Sequence, residues 1–237
     1  MRIRMISRIS PVVLLLACSS PLDHTGSDAA DGSVVGDGGA QPDAVVEAGA
    51  ESGADAPPVM GAYPSGPYGK AAGDVIANFT WQGYVTEGDA IATTKAYGSY
   101  SLDDARKSGR KYAMINLSES LCPGCQKSAG ELAADGKATY DAGGIVIEVL
   151  CTTGFVTQPT KSDLDAWINK YKVPVTTVKD PDGTGTATLT ALGQREQAYI
   201  VDLATMKIVK VISGSLTGMT DTSAKLGMLE LHKLLGK

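Results

Sequence analysis

Two cysteines separated by a Pro-Gly pair, Cys122 and Cys125, constrain the fold of this chain more than any other feature. They follow an apolar run at residues 112–117 and open a long segment without proline. This arrangement predicts a strand that leads into a helix, with the two sulfur atoms one turn apart. Unpaired N–H groups at a helix start favour the nucleophilic thiolate over the thiol. The motif therefore predicts a redox-active pair.

Two other interpretations of the motif stay open at this point. One is an inert local disulfide, and the other is half of a zinc site. Zinc needs further ligands, but the chain has no second C-x-x-C, and its two histidines are His24 and His232. Redox chemistry at Cys122 and Cys125 needs neither a metal nor a bound cofactor, and we expect none.

Residues 1–18 have the pattern of a secretory signal, with three arginines before a short apolar run that ends in Ala17-Cys18. A cysteine after a small residue at this place resembles a lipobox, so Cys18 is the predicted lipid-attachment site. The alternative is an ordinary signal peptide that contains a cysteine. Because the run is too short to span a bilayer, we expect the lipid to be the anchor to the membrane. The predicted location is the bacterial cell envelope, with the domain facing the periplasm or the exterior.

Residues 19–62 are rich in Ala, Gly, Asp, Ser and Pro and contain no Lys, Arg, Phe, Trp or Tyr. Such a composition buries too little apolar surface to order a chain, so we predict a disordered acidic linker. It holds eight acidic residues, while residues 63–237 carry equal numbers of acidic and basic residues. The latter segment has the size of one domain and no basic patch, which disfavours nucleic acid as a partner.

Apolar patterning in residues 63–237 alternates strands and helices, which predicts an α/β fold. Helices are expected after the C-x-x-C toward Tyr140, from a capping box at Ser162 and Asp165 to Tyr171, and at 223–235. Strands are expected at residues 78–84, 111–117, 144–150, 175–178, 198–201 and 208–213. From the strand at 111–117 onward, the predicted order is β-α-β-α-β-β-α.

Three segments resemble the thioredoxin-like redoxin superfamily, especially membrane-tethered thiol-disulfide oxidoreductases and their peroxiredoxin relatives. Residues 73–80 (GDVIANFT) are similar to the family opening G-D-x-A-P-D-F-T. Residues 114–125 (MINLSESLCPGC) are in register with V-V-N-F-W-A-S-W-C-P-P-C. Residues 199–209 resemble the late hairpin F-L-I-D-R-D-G-R-I-V. The resemblance implies a central mixed β-sheet with helices on both faces, and the C-x-x-C at the start of the first core helix.

The resemblance also implies roles for the motif. Cys122 would be the attacking thiol and Cys125 the buried partner that resolves a mixed disulfide. Pro123 and Gly124 form the spacer that helps to set the redox potential.

The chain departs from the family pattern at three positions. Leu121 replaces the aromatic residue that usually precedes the first cysteine. Glu196 stands where the family has a cis-proline opposite the disulfide. Ser128 stands where cytochrome-maturation reductases often carry an acidic residue, which favours a general oxidoreductase over a dedicated one.

Three further residues near the motif are candidates for the site. Cys151 ends a predicted parallel strand, so it is a candidate accessory thiol, with a buried apolar role as the alternative. We expect Glu119 to be a solvated loop acid. Glu148 interrupts an apolar strand, and we expect it at a sheet edge or beside a polar partner. The alternative is an acid that assists proton transfer to Cys125.

The predicted function is thiol-disulfide exchange by an envelope lipoprotein, on protein thiols or disulfides or on a small-molecule thiol or peroxide. Peroxiredoxins share P-x-x-x-T-x-x-C, and aligning its cysteine with Cys125 places Ser118 at the proline and Cys122 at the threonine. A thiol peroxidase is therefore an alternative that lacks both signature residues. A non-catalytic binding lipoprotein on the same scaffold is the third function class.

Overall fold

The computed structural model describes residues 61–154 and 156–237. The predicted signal segment 1–18 with Cys18, and the linker 19–62 except its last two residues, lie outside the described residues. Tyr63, the predicted first residue of the domain, donates a hydrogen bond to the Ile76 carbonyl (2.9 Å).

A seven-stranded mixed sheet forms the centre of the domain, in the order β2-β1-β5-β4-β3-β6-β7. Strands β3, β4 and β5 are parallel, and the other neighbours are antiparallel. The strands are β1 Thr80–Tyr84, β2 Tyr97–Ser101, β3 Tyr112–Glu119, β4 Gly144–Thr152, β5 Thr176–Lys179, β6 Gln197–Asp202 and β7 Lys207–Ser213.

Five α-helices cover the two faces of this sheet: α1 Leu102–Lys107, α2 Pro123–Asp141, α3 Lys161–Tyr171, α4 Ala187–Leu192 and α5 Ser223–Leu234. Side chains alternate along each strand, so the sheet has two separate cores. One core joins α2, α3 and α5 to residues such as Met114 and Leu150. The other joins α1 and α4 to residues such as Ile115 and Val149. The predicted mixed sheet with helices on both faces is confirmed.

The predicted order from 111 onward is confirmed, and β2, α1 and α4 are additional elements. The predicted start of α3 is wrong by two residues. Thr160 is the N-cap, and its side chain exchanges hydrogen bonds with Asp163 in a capping box. Asp165 instead accepts a hydrogen bond from Tyr84 Oη (2.5 Å), so it ties α3 to β1. Among the helices of the described residues, none combines the length and apolar character needed to cross a membrane.

Candidate active site

Cys122 is the N-cap of α2, directly after the turn that leaves β3. Its Sγ accepts a hydrogen bond from the Cys125 backbone N–H (3.2 Å), the role that a serine oxygen plays at most helix starts. Pro123 follows at the first helical position, where its fixed φ suits the helix and its missing N–H costs nothing. The strand-loop-helix arrangement predicted from the motif is therefore present.

The two sulfur atoms have opposite acid–base properties. A hydrogen bond from the Cys125 thiol stabilises the Cys122 thiolate and lowers the pKa of Cys122 to about 7, even though partial burial opposes the charge. The same interaction raises the pKa of Cys125, and burial raises it further. Both residues are free thiols in the structure. Cys122 is therefore the thiol that ionises near neutral pH, and Cys125 keeps its proton.

The loop between β7 and α5, residues 214–222, lies over the motif. Its Leu216 carbonyl accepts hydrogen bonds from the Gly124 N–H (3.0 Å) and from Cys122 Sγ (3.7 Å). Lys127 Nζ donates to the carbonyls of Gly218 and Thr220 (3.2 and 3.0 Å). These contacts leave Cys122 only 5% exposed.

The close approach of this loop explains the glycine in the spacer. A Cβ atom on Gly124 would lie 1.9 Å from the backbone oxygen of Ser215, which is far inside van der Waals contact. Any larger residue would therefore displace the loop from the cysteines.

Glu119, expected to be a solvated loop acid, is instead the buried last residue of β3. Its carboxylate forms an ion pair with Arg195 (2.6 Å) in the loop before β6. The prediction is wrong because β3 runs two residues past its predicted end and carries Glu119 into the sheet. Arg195 lowers the pKa of Cys122 as a secondary cause, so the ion pair places a cation near the nucleophile.

Glu196 points into the protein next to the motif, and its side chain is almost fully buried. Its Cγ would lie 3.0 Å from a Cβ on Gly124. Ser128 Oγ donates to Glu196 Oε1 (2.5 Å), and the Ser223 N–H donates to the same oxygen (3.2 Å). Burial raises the pKa of Glu196 despite these donors. Two departures from the family pattern, Ser128 and Glu196, thus form one hydrogen-bonded pair.

Another buried carboxylate, Glu148, lies in the middle of β4 and is connected to Glu196. Asn116 Nδ2 donates to Glu148 Oε2 (2.7 Å), and Ser223 Oγ donates to Asn116 Oδ1 (2.7 Å). Burial raises the pKa of Glu148 to about 7. Of the two expected settings, a sheet edge or a polar partner, Glu148 has the partner, Asn116, because β4 lies between β3 and β5.

A family model described as the AhpC/TSA family matches residues 72–211, which is more than half of the chain. The chain belongs to the AhpC/TSA family. No curated protein matches the chain. The family confirms the predicted membership of the thioredoxin-like redoxin superfamily.

Solved structures from several organisms are similar to this AhpC/TSA family protein. The 2-Cys peroxiredoxin of Plasmodium vivax is 11% identical with a TM-score of 0.50, over 70% of this chain and 96% of that chain. The AhpC of Mycobacterium tuberculosis is 13% identical with a TM-score of 0.50, over 69% and 97%. The thioredoxin domain of a Bacteroides vulgatus thiol-disulfide oxidoreductase is 20% identical with a TM-score of 0.45, over 62% and 93%. The first two likenesses show the shared thioredoxin-like fold.

Cys151 lies in β4 of this AhpC/TSA family protein, but on the sheet face opposite the motif. It belongs to the core with α1 and α4, whereas Cys122 and Cys125 belong to the core with α2, α3 and α5. Its Sγ contacts the Val149 carbonyl (3.5 Å), and burial raises its pKa well above the ordinary value. The structure does not bring Cys151 to the cysteine pair, which favours the buried apolar role.

In residues 61–154 and 156–237, no group of three or more His, Cys, Asp or Glu side chains is placed to hold a metal ion. His232 Nε2 forms a hydrogen bond with Thr139 Oγ1 (3.1 Å) on α2, and His24 lies outside the described residues.

Sequence reasoning missed three polar residues of the site: Asn116, Arg195 and Ser223. Asn116 carries the clearest signal, because an amide inside the apolar run 112–117 needs a buried partner. Ser223 follows the Thr222 N-cap of α5, so the sequence signals a helix start there but not a contact with Glu196.

Proposed function

We propose that this protein catalyses thiol-disulfide exchange, with Cys122 as the nucleophile and Cys125 as the resolving thiol. The observation that carries the proposal is the difference between the two sulfurs at the start of α2. One has a pKa lowered to about 7, and the other is fully buried with a raised pKa. An exchanging pair needs this difference, since one thiol must attack first and the other must wait.

The reaction in the reducing direction runs in two steps. The Cys122 thiolate attacks one sulfur of a substrate disulfide, a Cys122–substrate bond forms, and the other substrate sulfur leaves as a thiolate. Cys125 then loses its proton and attacks Cys122 Sγ, so that the mixed disulfide breaks and the second substrate thiolate leaves. The protein ends as a Cys122–Cys125 disulfide, and the substrate gains two electrons. The oxidising direction is the reverse.

The surroundings of Cys122 support a protein as the exchange partner. Leu121 is 63% exposed beside the nucleophile, and the loop at residues 214–222 adds the exposed side chains of Leu216 and Met219. Apolar surface of this kind suits a polypeptide that presents a cysteine better than a peroxide.

The reduction potential of the cysteine pair tests this function. We expect the full chain, titrated against glutathione and dithiothreitol with thiol trapping, to give a value between about −270 and −180 mV. The Cys151→Ser variant, which keeps the pair, serves as the control and should give the same value. A potential below about −300 mV would mark a structural disulfide and favour a binding protein. Peroxide consumption without any disulfide exchange would favour the peroxidase.

The proposal includes an anchor in the bacterial cell envelope. It rests on residues 1–18, where a basic start and an apolar run precede Cys18. In a bacterial host given labelled palmitate, we expect the full chain to take up label and sediment with membranes. The Cys18→Ser variant should do neither. Equal labelling of both chains would contradict lipid attachment at Cys18.

A further inference from the structure

Four buried polar side chains form a continuous path from the cysteine motif to the middle of the sheet. They are Glu196, Ser223, Asn116 and Glu148, and we call them the carboxylate relay. Contacts of 3.1, 2.7 and 2.7 Å join each member to the next. All four residues are at most 1% exposed. The relay thus links two carboxylates that water does not reach.

Counting donors shows that the relay has two hydrogen-bonded states. The Ser223 hydroxyl has one proton but lies against two acceptors, Glu196 Oε1 and Asn116 Oδ1. With Glu196 ionised, the hydroxyl donates to that carboxylate. With Glu196 protonated, Glu196 donates to Ser223 Oγ, and the hydroxyl turns to Asn116. The hydrogen bond between Ser223 and Glu196 is present in both states. Glu196 can therefore gain or lose a proton without losing this contact.

One end of the relay lies beside Gly124, a residue between the two cysteines of the motif. The Glu196 side chain packs against this glycine. Ser128, which holds Glu196 Oε1, follows Cys125 by three residues on α2 and therefore lies on the same helix face. The charge of Glu196 raises the pKa of both cysteines.

The other charged groups around Glu196 do not replace it. Glu119 on β3 is neutralised by Arg195 from the loop before β6. Glu131 on α2 accepts a hydrogen bond from Thr222, at the start of α5, and its charge raises the pKa of Glu196. The remaining titratable neighbours are Glu148 on β4 and the two cysteines on α2. Glu196 is therefore the carboxylate that the fold directs toward the motif without a cationic partner.

We propose that Glu196 accepts the proton that leaves Cys125 when the dithiol is oxidised, and that the Ser223 hydroxyl then turns from Glu196 to Asn116. In that step the S–H bond of Cys125 breaks, and an O–H bond forms on Glu196. The electron pair left on sulfur forms the bond to Cys122 Sγ, and the substrate thiolate leaves. The proton returns to Cys125 when a thiol reduces the disulfide. This inference rests on the proposed function.

A two-phase reaction with the aromatic disulfide dithionitrobenzoate tests the step. Cys122 releases the first coloured thiolate, and attack by Cys125 on the resulting mixed disulfide releases the second. The full chain is used with Cys18→Ser, so that Cys122 and Cys125 are the reactive thiols. The rates of both phases are measured from pH 5 to pH 9 in a stopped-flow instrument.

In the Glu196→Gln variant we expect the second phase to be about 100-fold slower at neutral pH, the loss typical of a missing general base. The first phase should not be slower, since the substitution removes a negative charge near Cys122. The second phase should also lose the part of its pH dependence that belongs to the carboxylate. Glu131→Gln, which removes a neighbouring carboxylate outside the relay, is the matched control and should keep both phases.

An unchanged second phase in Glu196→Gln would overturn the proposal, and so would equal slowing of both phases, which indicates a distorted motif. If Glu196→Gln does not fold, Ser128→Ala replaces it, and an unchanged second phase in that variant also overturns the proposal. Failure of the proposed function has a different signature. The parent chain would then release one coloured thiolate per molecule or none, before any Glu196 variant is compared.

Discussion

Replacing Cys122 with serine is expected to lower turnover in dithiothreitol-driven reduction of insulin disulfides by more than about 100-fold. Serine supplies an N-cap oxygen in place of the Cys122 sulfur, so the start of α2 is preserved. The hydroxyl does not ionise near neutral pH, so the nucleophile is lost without loss of the fold. Circular dichroism and thermal unfolding should match those of the parent chain.

Cys125→Ser should behave differently from Cys122→Ser. Its Cys122 can still attack, but no second thiol resolves the product, so the variant should accumulate one covalent substrate adduct per chain. Intact-mass measurement detects this adduct. Cys151→Ser is the matched control, because that thiol lies in the opposite core, and it should keep full turnover. Turnover retained by Cys122→Ser, or lost in a folded Cys151→Ser, would contradict the assignment of the nucleophile.

The sequence of this domain predicts those strands and helices whose signal lies within a short stretch of the chain. Strands β3 and β4 are predictable because they are buried on both faces and therefore read as nearly continuous apolar runs. Strand β2 pairs at the edge of the sheet with two exposed residues, and α4 is short and lacks a side-chain cap. Neither element has a sequence pattern that distinguishes it from a loop.

The same distinction applies to the site. The C-x-x-C spacing at a helix start predicts a redox pair, and the family resemblance implies the separate roles of Cys122 and Cys125, so sequence is sufficient to propose them. The pairing of Ser128 with Glu196 spans 68 positions and exists because β6 pairs beside β3. Glu119 is predicted to be solvated for the same reason, since its partner Arg195 is distant in sequence. Residues that look like departures from a family pattern form the polar interior of the site, because strands that are distant in sequence pair with each other.

Glu148 is expected to make this protein less stable as the pH rises from about 4.5 to 7. Burial raises the pKa of Glu148 to about 7 in the folded state, whereas an unfolded chain has a value near 4.3. Between these values the folded state holds a proton that the unfolded state has released. Rising pH therefore favours unfolding, and the contribution of Glu148 over this window is about 3 kcal/mol.

Glu148→Gln removes this proton without removing the hydrogen bond from Asn116. We subtract the free energy of unfolding of the parent chain from that of the variant, each measured by urea titration. This difference should rise by about 3 kcal/mol as the pH increases from 4.5 to 7.5. Asp103→Asn is the control, since hydrogen bonds from Lys107 and Arg106 hold the pKa of Asp103 below its ordinary value. Asp103 is thus ionised in both states across this window, and its variant should differ from the parent by a constant amount.

A difference that does not change with pH would mean that Glu148 is already ionised in the folded protein. A sloping difference would show that the fold keeps a protonated carboxylic acid in the sheet near neutral pH, at a cost in stability. Core side chains of similar size would avoid that cost. Asn116 and Ser223 connect this acid to Glu196. The loss of stability therefore falls in the polar group that adjoins the motif, where Cys125 must release a proton inside the protein.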